Sequence, residues 1–203
     1  MIRHAPDARP GTDPKGSPGR AARRCAARAA AGLLLAGTAL TGCGQEQDQQ
    51  PEHPAAVAEF KENGVTVKLS VSDWKASSGT LVATFTPDKP GYHLYSTDLP
   101  ADGIEGVGRP TEIRVSGTAA ASGALQADAA VRTITVPGVD SPVPVYPDGP
   151  VTTKLAIRAT GAGEAEVAVG YASCSATEGC TIPVAGRKVA LRTDTDHVSL
   201  TAG

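Results

Sequence analysis

The residues best placed for chemistry are two cysteines, Cys174 and Cys180, in the segment GYASCSATEGC at 170–180. Five intervening residues suit a disulfide across a short turn. The same pair can exchange with other thiols when it is accessible on a loop. Glu178 lies between them with no Lys or Arg in the loop. Because a nearby carboxylate raises the pKa of a thiol, this loop favours the disulfide as the resting state.

Two other interpretations of the pair stay open beside exchange. A structural clip that closes a loop of about seven residues contributes only about 2.4 kcal/mol in the chain-entropy model, and a domain of this size does not depend on it. A metal site is disfavoured because two cysteines lack further ligands, and His53, His93 and His197 do not stand at ligand spacing to them.

No cofactor is expected. The chain has no Gly-rich phosphate loop, no recognisable motif of paired carboxylates and no Ser nucleophile elbow.

The N-terminal region has the features of a targeting segment. Residues 1–42 contain seven Lys and Arg against two Asp, and an apolar run covers 29–40. That run is too short to cross a bilayer comfortably. It ends in Leu40-Thr41-Gly42-Cys43, which resembles the lipobox of bacterial lipoproteins. We therefore expect a lipoprotein signal peptide at 1–42, a diacylglycerol lipid on the sulfur of Cys43, and a polar tether at 43–54.

Processing at Cys43 would place the protein on the extracytoplasmic face of a bacterial cell membrane, held by its lipid. Cys25 would leave with the leader and Cys43 would be modified, so Cys174 and Cys180 would have only each other. Disulfides form and persist in such a compartment.

The charge of the remaining chain excludes one class of partner. Of 19 Lys and Arg and 21 Asp and Glu, residues 43–203 keep 12 and 19, which gives a net charge of −7. An acidic body without a basic stripe does not bind phosphates in number, so no nucleic-acid partner is expected.

Short alternating segments dominate residues 55–203. Val65, Val67, Leu69 and Val71 alternate with polar residues, which is typical of a half-buried strand. The Ala-rich stretch 118–130 is consistent with either a helical turn or an irregular edge. About eight strands and no amphipathic helix predict an all-β fold, a single immunoglobulin-like antiparallel β-sandwich. The predicted strands are 65–71, 80–86, 92–97, 111–116, 131–136, 151–159, 164–172 and 187–192.

The order of motifs resembles one family. Gly91-Tyr92-His93-Leu94-Tyr95, followed by Tyr171-Ala172-Ser173-Cys174-x5-Cys180 and the strand 187–191, resembles the N-terminal periplasmic domain of the thiol:disulfide interchange protein DsbD, over residues 60–192. The resemblance implies an immunoglobulin-like fold with a redox-active pair at one end. It also implies that Cys180 exchanges with the partner while Cys174 resolves the mixed disulfide.

The resemblance further implies partners and a setting for the pair. The partners would be a membrane-embedded thiol electron transporter or a thioredoxin-like protein on one side, and oxidised envelope proteins on the other. The multi-helix membrane domain and thioredoxin-like domain of the family do not follow in this sequence, so we expect the transporter to be a separate protein. The rival hypothesis is a non-catalytic surface lipoprotein, a binding module with a structural disulfide.

Aromatic residues are expected to shield the pair and shape its docking surface. Only four tyrosines occur, and two of them stand in one motif. Segment 139–150 corresponds to the family's cap loop, and His93 is expected to be solvated. The candidate docking residues are Tyr92, Tyr95, Tyr146 and Tyr171.

Overall fold

The computed structural model describes residues 56–203, and every regular element among them is a β-strand. No helix in this part of the chain is long and apolar enough to cross a membrane. The expected signal peptide, the lipidation site Cys43 and the tether at 43–54 lie outside the described residues. The strands are β1 (Ala56–Glu62), β2 (Val65–Lys75), β3 (Ser78–Pro87), β4 (Tyr92–Leu94), β5 (Glu112–Gly117), β6 (Ala119–Ala121), β7 (Gln126–Ala127), β8 (Arg132–Ile134), β9 (Val143–Val145), β10 (Val151–Ala159), β11 (Gly163–Tyr171), β12 (Ser173–Ser175), β13 (Gly179–Cys180), β14 (Val184–Thr193) and β15 (Val198–Ala202).

Two large antiparallel sheets enclose the main core. One has the order β1-β2-β3-β10-β6, with β7 also paired to β10, and the other has the order β15-β14-β11-β5. Alternate side chains of each strand point inward, as in Val65, Val67 and Leu69 of β2 and Val167 of β11, all fully buried. One apolar cluster joins residues of both sheets, so the predicted antiparallel β-sandwich is confirmed.

A small third sheet is connected to the second large sheet by a continuous strand segment, β11 followed by β12. β11 pairs with β14, and the register of this pairing shifts between Val169 and Gly170. After the end of β11 the chain passes through a single residue, Ala172, and enters β12. β12 pairs antiparallel with β4 on one side and β13 on the other. The central strand of the small sheet is therefore a direct extension of a core strand, which attaches the small sheet to the sandwich.

Strand prediction succeeded where alternation is long and failed where strands are short. Segment 151–159 coincides with β10, and segments 80–86 and 164–172 lie within two residues of β3 and β11. β2 continues four residues beyond segment 65–71, and β14 begins three residues before segment 187–192. The strand predicted at 92–97 is shorter in the structure, since β4 ends at Leu94 and Tyr95 forms only a single bridge, with Val145. The Ala-rich stretch is an irregular edge made of β6 and β7. Seven strands are not predicted: β1, β6, β7, β9, β12, β13 and β15.

Replacement of a core leucine tests the sandwich. Leu81 is fully buried in β3, whose neighbours are β2 and β10. Leu81→Ala is expected to lower the free energy of unfolding by about 2–5 kcal/mol, because it removes apolar contacts and leaves a cavity. Urea unfolding measures the loss. The matched control is Val57→Ala in β1, where 46% of the side chain is exposed; an equal loss in both variants would contradict the assigned core.

Candidate redox site

Cys174 and Cys180 form a disulfide across the hairpin of the small sheet. Cys174 in β12 and Cys180 in β13 are direct cross-strand partners, and Ser175 pairs with Gly179 at the turn. Gly179 has a φ of 83°, in the left-handed region that favours glycine. The turn residues thus let the chain reverse within the Cys-x5-Cys spacing and bring the two sulfurs together.

The register of the small sheet aligns a third functional side chain with the pair. His93 in β4 is the direct cross-strand partner of Cys174 on the side away from Cys180. Directly opposed residues of an antiparallel sheet project from the same face. His93, Cys174 and Cys180 therefore form one row across three strands.

The two sulfur-bearing residues differ sharply in exposure. Only 4% of Cys174 is exposed, and it belongs to a small apolar cluster with Tyr95, Leu99 and Ala172. Cys180 is exposed, in the edge strand β13 of the small sheet. An incoming thiol therefore has access to Cys180, whereas Cys174 is shielded.

The hydroxyl of Tyr95 contacts both sulfurs. It lies 3.0 Å from Sγ of Cys174 and 3.7 Å from Sγ of Cys180. Burial raises the pKa of Tyr95, so the phenol stays protonated, and a disulfide sulfur can only accept. Tyr95 therefore donates a hydrogen bond to the buried sulfur, in a position to stabilise a thiolate there.

Gly108 leaves the space that the Tyr95 ring occupies. A Cβ at this position would lie 2.7 Å from Cε1 of Tyr95 and 2.8 Å from Cδ2 of Leu99. The φ of Gly108 is also positive, at 87°. A side chain here would strain the backbone and displace the Tyr95 ring from the sulfurs.

The charge of the loop is compensated from another segment. Nζ of Lys89 lies 2.6 Å from Oε2 of Glu178, and the hydroxyl of Tyr92 lies 3.4 Å from the same oxygen. The hydrogen bond and the charge of Lys89 lower the pKa of Glu178. The sequence showed no cation within the loop, but this lysine, 89 residues away along the chain, opposes the effect of Glu178 on the cysteines.

The expectation that His93 is solvated is wrong. Only 4% of the residue is exposed, because its face of β4 is the face that carries Tyr95 and meets Cys174. Its Nδ1 lies 3.3 Å from Oδ1 of Asp148, which Arg132 contacts at 2.5 Å. Burial is the main cause that lowers the pKa of His93, although Asp148 acts in the opposite direction. Nε2 is buried without a hydrogen-bond partner among the described residues.

The remaining candidate tyrosines have contacts away from the sulfurs. Both are fully buried in the main core. The hydroxyl of Tyr171 donates to the carbonyl oxygen of Glu62 at 2.9 Å, and burial is the main cause that raises its pKa. The hydroxyl of Tyr146 accepts from the backbone N–H of Thr97 at 3.0 Å. The structure therefore brings Tyr95 to the disulfide and Tyr92 to Glu178, whereas Tyr146 and Tyr171 support the core beneath.

A cleft of about 600 Å³ opens beside the disulfide. Segment 132–137 forms its apolar wall through Ile134, Val136 and Pro137, opposite both cysteines, His93 and Tyr95. Of segment 139–150, the expected cap loop, Asp148 alone lines the cleft. The wall of the cleft is therefore formed mainly by the segment that includes β8, whereas Val139, Val143 and Val145 of the expected loop pack in the apolar cluster that contains Cys174.

No group of three or more His, Cys, Asp or Glu side chains that could hold a metal ion occurs in residues 56–203. In comparisons with known proteins, no family model matches this chain, and no curated protein matches it.

Removal of the Tyr95 hydroxyl tests its contact with Cys174. In the reduced protein, Tyr95→Phe is expected to increase the proton affinity of the Cys174 thiolate by about tenfold or more, because a hydrogen bond to a charged group contributes about 1.5–3 kcal/mol. The measurement is the pH dependence of Cys174 alkylation in a Cys180→Ser background. Tyr92→Phe is the control, since its hydroxyl faces Glu178; equal effects in both variants would refute the assignment.

Proposed function

We propose that this protein is an extracytoplasmic thiol:disulfide exchange protein in which Cys180 reacts with the partner and Cys174 resolves the mixed disulfide. The observation that carries the proposal is the asymmetry of the pair. Cys180 is exposed and lines an open cleft, whereas Cys174 is buried with its sulfur in contact with a tyrosine hydroxyl. A relay needs one atom that a partner can reach and one leaving group that the protein stabilises.

The chemistry is a balanced displacement. The thiolate of a reduced donor attacks Sγ of Cys180, the Cys174–Cys180 bond breaks, and Cys174 leaves as a thiolate that accepts the Tyr95 hydrogen bond. A second donor thiolate then attacks the donor sulfur of this mixed disulfide, and Cys180 leaves as a thiolate, which yields a dithiol protein and a donor disulfide. The dithiol then passes its two electrons to an oxidised protein in the reverse order.

The setting of the proposal comes from the sequence. Lipidation at Cys43 would hold the domain on the extracytoplasmic face of the membrane, beside a membrane-embedded thiol transporter or a thioredoxin-like donor. Oxidised envelope proteins would receive the electrons. The function proposed is that implied by the resemblance to the DsbD N-terminal domain.

The reduction potential separates exchange from a structural clip. We expect the Cys174–Cys180 pair to equilibrate in thiol redox buffers with a potential of about −180 to −270 mV, in the range of known exchange proteins. Alkylation followed by mass measurement counts the free thiols. A potential below about −300 mV, with a disulfide that resists reduction in the folded protein, would favour the binding-module hypothesis.

Single cysteine variants test which sulfur meets the partner. Cys174→Ser retains the exposed Cys180 and is expected to form a stable mixed disulfide with a small aromatic disulfide or an oxidised protein. Cys180→Ser retains only the buried Cys174 and is expected to react at least tenfold more slowly, since access limits attack. Mass spectrometry of the adducts gives both rates. Equal rates, or faster reaction of Cys180→Ser, would contradict the assigned roles.

A further inference from the structure

We propose that His93 is the proton acceptor that activates Cys174, taking the thiol proton through Nε2 as Cys174 attacks the mixed disulfide on Cys180. This inference rests on the proposed exchange function and adds a residue to the same site. Nothing in the cysteine loop itself supplies a base beside Cys174, because Glu178 is paired with Lys89.

The first support is position. His93 and Cys174 are direct cross-strand partners, and such residues have their Cβ atoms about 4.5–5.5 Å apart on one face of the sheet. Both line the cleft beside the disulfide. In the disulfide, Cys180 holds the Cys174 sulfur. Reduction frees χ1 of Cys174, so that its sulfur can turn toward the imidazole.

The second support is the orientation of the ring. The Asp148 carboxylate accepts a hydrogen bond from Nδ1 at 3.3 Å, which assigns the proton of the neutral imidazole to Nδ1 and the lone pair to Nε2. Nε2 is buried and has no hydrogen-bond partner among the described residues. A buried polar atom without a partner is destabilising, and a thiol proton from Cys174 would satisfy it.

The third support is the balance of charges around the ring. Asp148 favours the imidazolium form, whereas burial and the cation of Arg132 oppose it. Tyr95, whose ring centre is 6.3 Å away, and the two cysteines, Cys174 and Cys180, are further titratable groups on this face. Burial lowers the pKa of His93 overall, so the ring is neutral at pH 7 and available as a base.

The resolving step transfers one proton and exchanges one disulfide bond for another. Nε2 of His93 takes the proton of the Cys174 thiol, and the Cys174 thiolate attacks Sγ of Cys180. The bond between Cys180 and the partner breaks, and the partner leaves as a thiolate. The imidazolium returns its proton to that thiolate or to water.

A chromogenic mixed disulfide measures this step directly. Reduced protein treated with one equivalent of 5,5′-dithiobis(2-nitrobenzoate) releases one aromatic thiolate when Cys180 attacks and a second when Cys174 resolves. At pH 7, His93→Gln is expected to slow the second release about tenfold or more, with the first release unchanged. The pH at half-maximal resolving rate is expected to rise in the variant. An unchanged second release with an unchanged pH profile would overturn the proposal.

Two further measurements do not depend on the stability of His93→Gln. Asp148→Asn keeps the imidazole but weakens the orientation of its ring, and is expected to slow the second release by a smaller factor. Long-range ¹H–¹⁵N spectra of the wild-type rings are expected to show the Nδ1–H form of His93 in the disulfide state and a shifted pKa of that ring in the dithiol state, because the Cys174 sulfur then contacts Nε2. The ring of His197, which does not line the cleft, gives the reference signal. Identical titration of His93 in both states would also overturn the proposal.

Failure of this inference and failure of the proposed function give different results. A disulfide that resists reduction by thiol buffers in the folded protein would refute exchange, yet the dithiol can still be prepared with a phosphine and the titration of His93 measured. An exchange-active pair whose resolving step ignores His93→Gln would leave the function in place and remove His93 from it.

Discussion

The register of the small sheet is the constraint on which the site depends. A slip of one residue in an antiparallel pair turns every side chain of a strand to the other face. If β4 were displaced by one residue against β12, His93 and Tyr95 would leave the face that carries the disulfide. Two features prevent this. β12 continues from the core strand β11, and the backbone N–H groups of Tyr146 and Gly149 donate to the carbonyl oxygens of Leu94 and Tyr92 at 2.9 Å each.

Those same backbone bonds place the carboxylate of Asp148. Tyr146 and Gly149 are fixed along β4, so Asp148 between them is held over His93, and Arg132 approaches it from β8. The buried ring of Tyr146, whose hydroxyl joins the backbone N–H of Thr97, keeps this segment attached to the core. The tyrosine that the sequence suggested as a shield thus acts in the structure as support for the residue that orients His93.

The sequence predicted the sandwich and the cysteine pair because both leave local signals. Alternation over seven or more residues, as in 65–71 or 151–159, reflects burial of one face of a strand. Strands of two or three residues, such as β12 and β13, leave no such signal and exist because neighbouring strands pair with them. The contact between Lys89 and Glu178 is likewise set by tertiary structure alone.

The wrong expectation for His93, that it is solvated, came from the assignment of strand faces in one short motif. In the strand segment Tyr92-His93-Leu94-Tyr95, successive side chains point to alternate faces of the sheet, so Tyr92 and Tyr95, which are three residues apart, point to opposite faces. If the two tyrosines are placed on the same face, the histidine between them falls on the opposite, solvated face. Alternation applied strictly groups His93 with Tyr95, and the pairing of β4 with β12 then adds Cys174. The available signal was the odd spacing of the tyrosines, but only the strand pairing tells which face is covered.

The energetics of the site fit exchange better than a permanent clip. Closing a loop of about seven residues contributes about 2.4 kcal/mol, and the hairpin is already paired to β4 through β12. The unpaired Nε2 of His93 costs about 1–3 kcal/mol, comparable with what the clip contributes. A binding module has no need of that cost, whereas a site that must accept a proton from Cys174 requires an empty lone pair in the oxidised state. Local costs of this kind concentrate at functional sites, and here one of them falls on His93, which lies in register with Cys174 on the side away from Cys180.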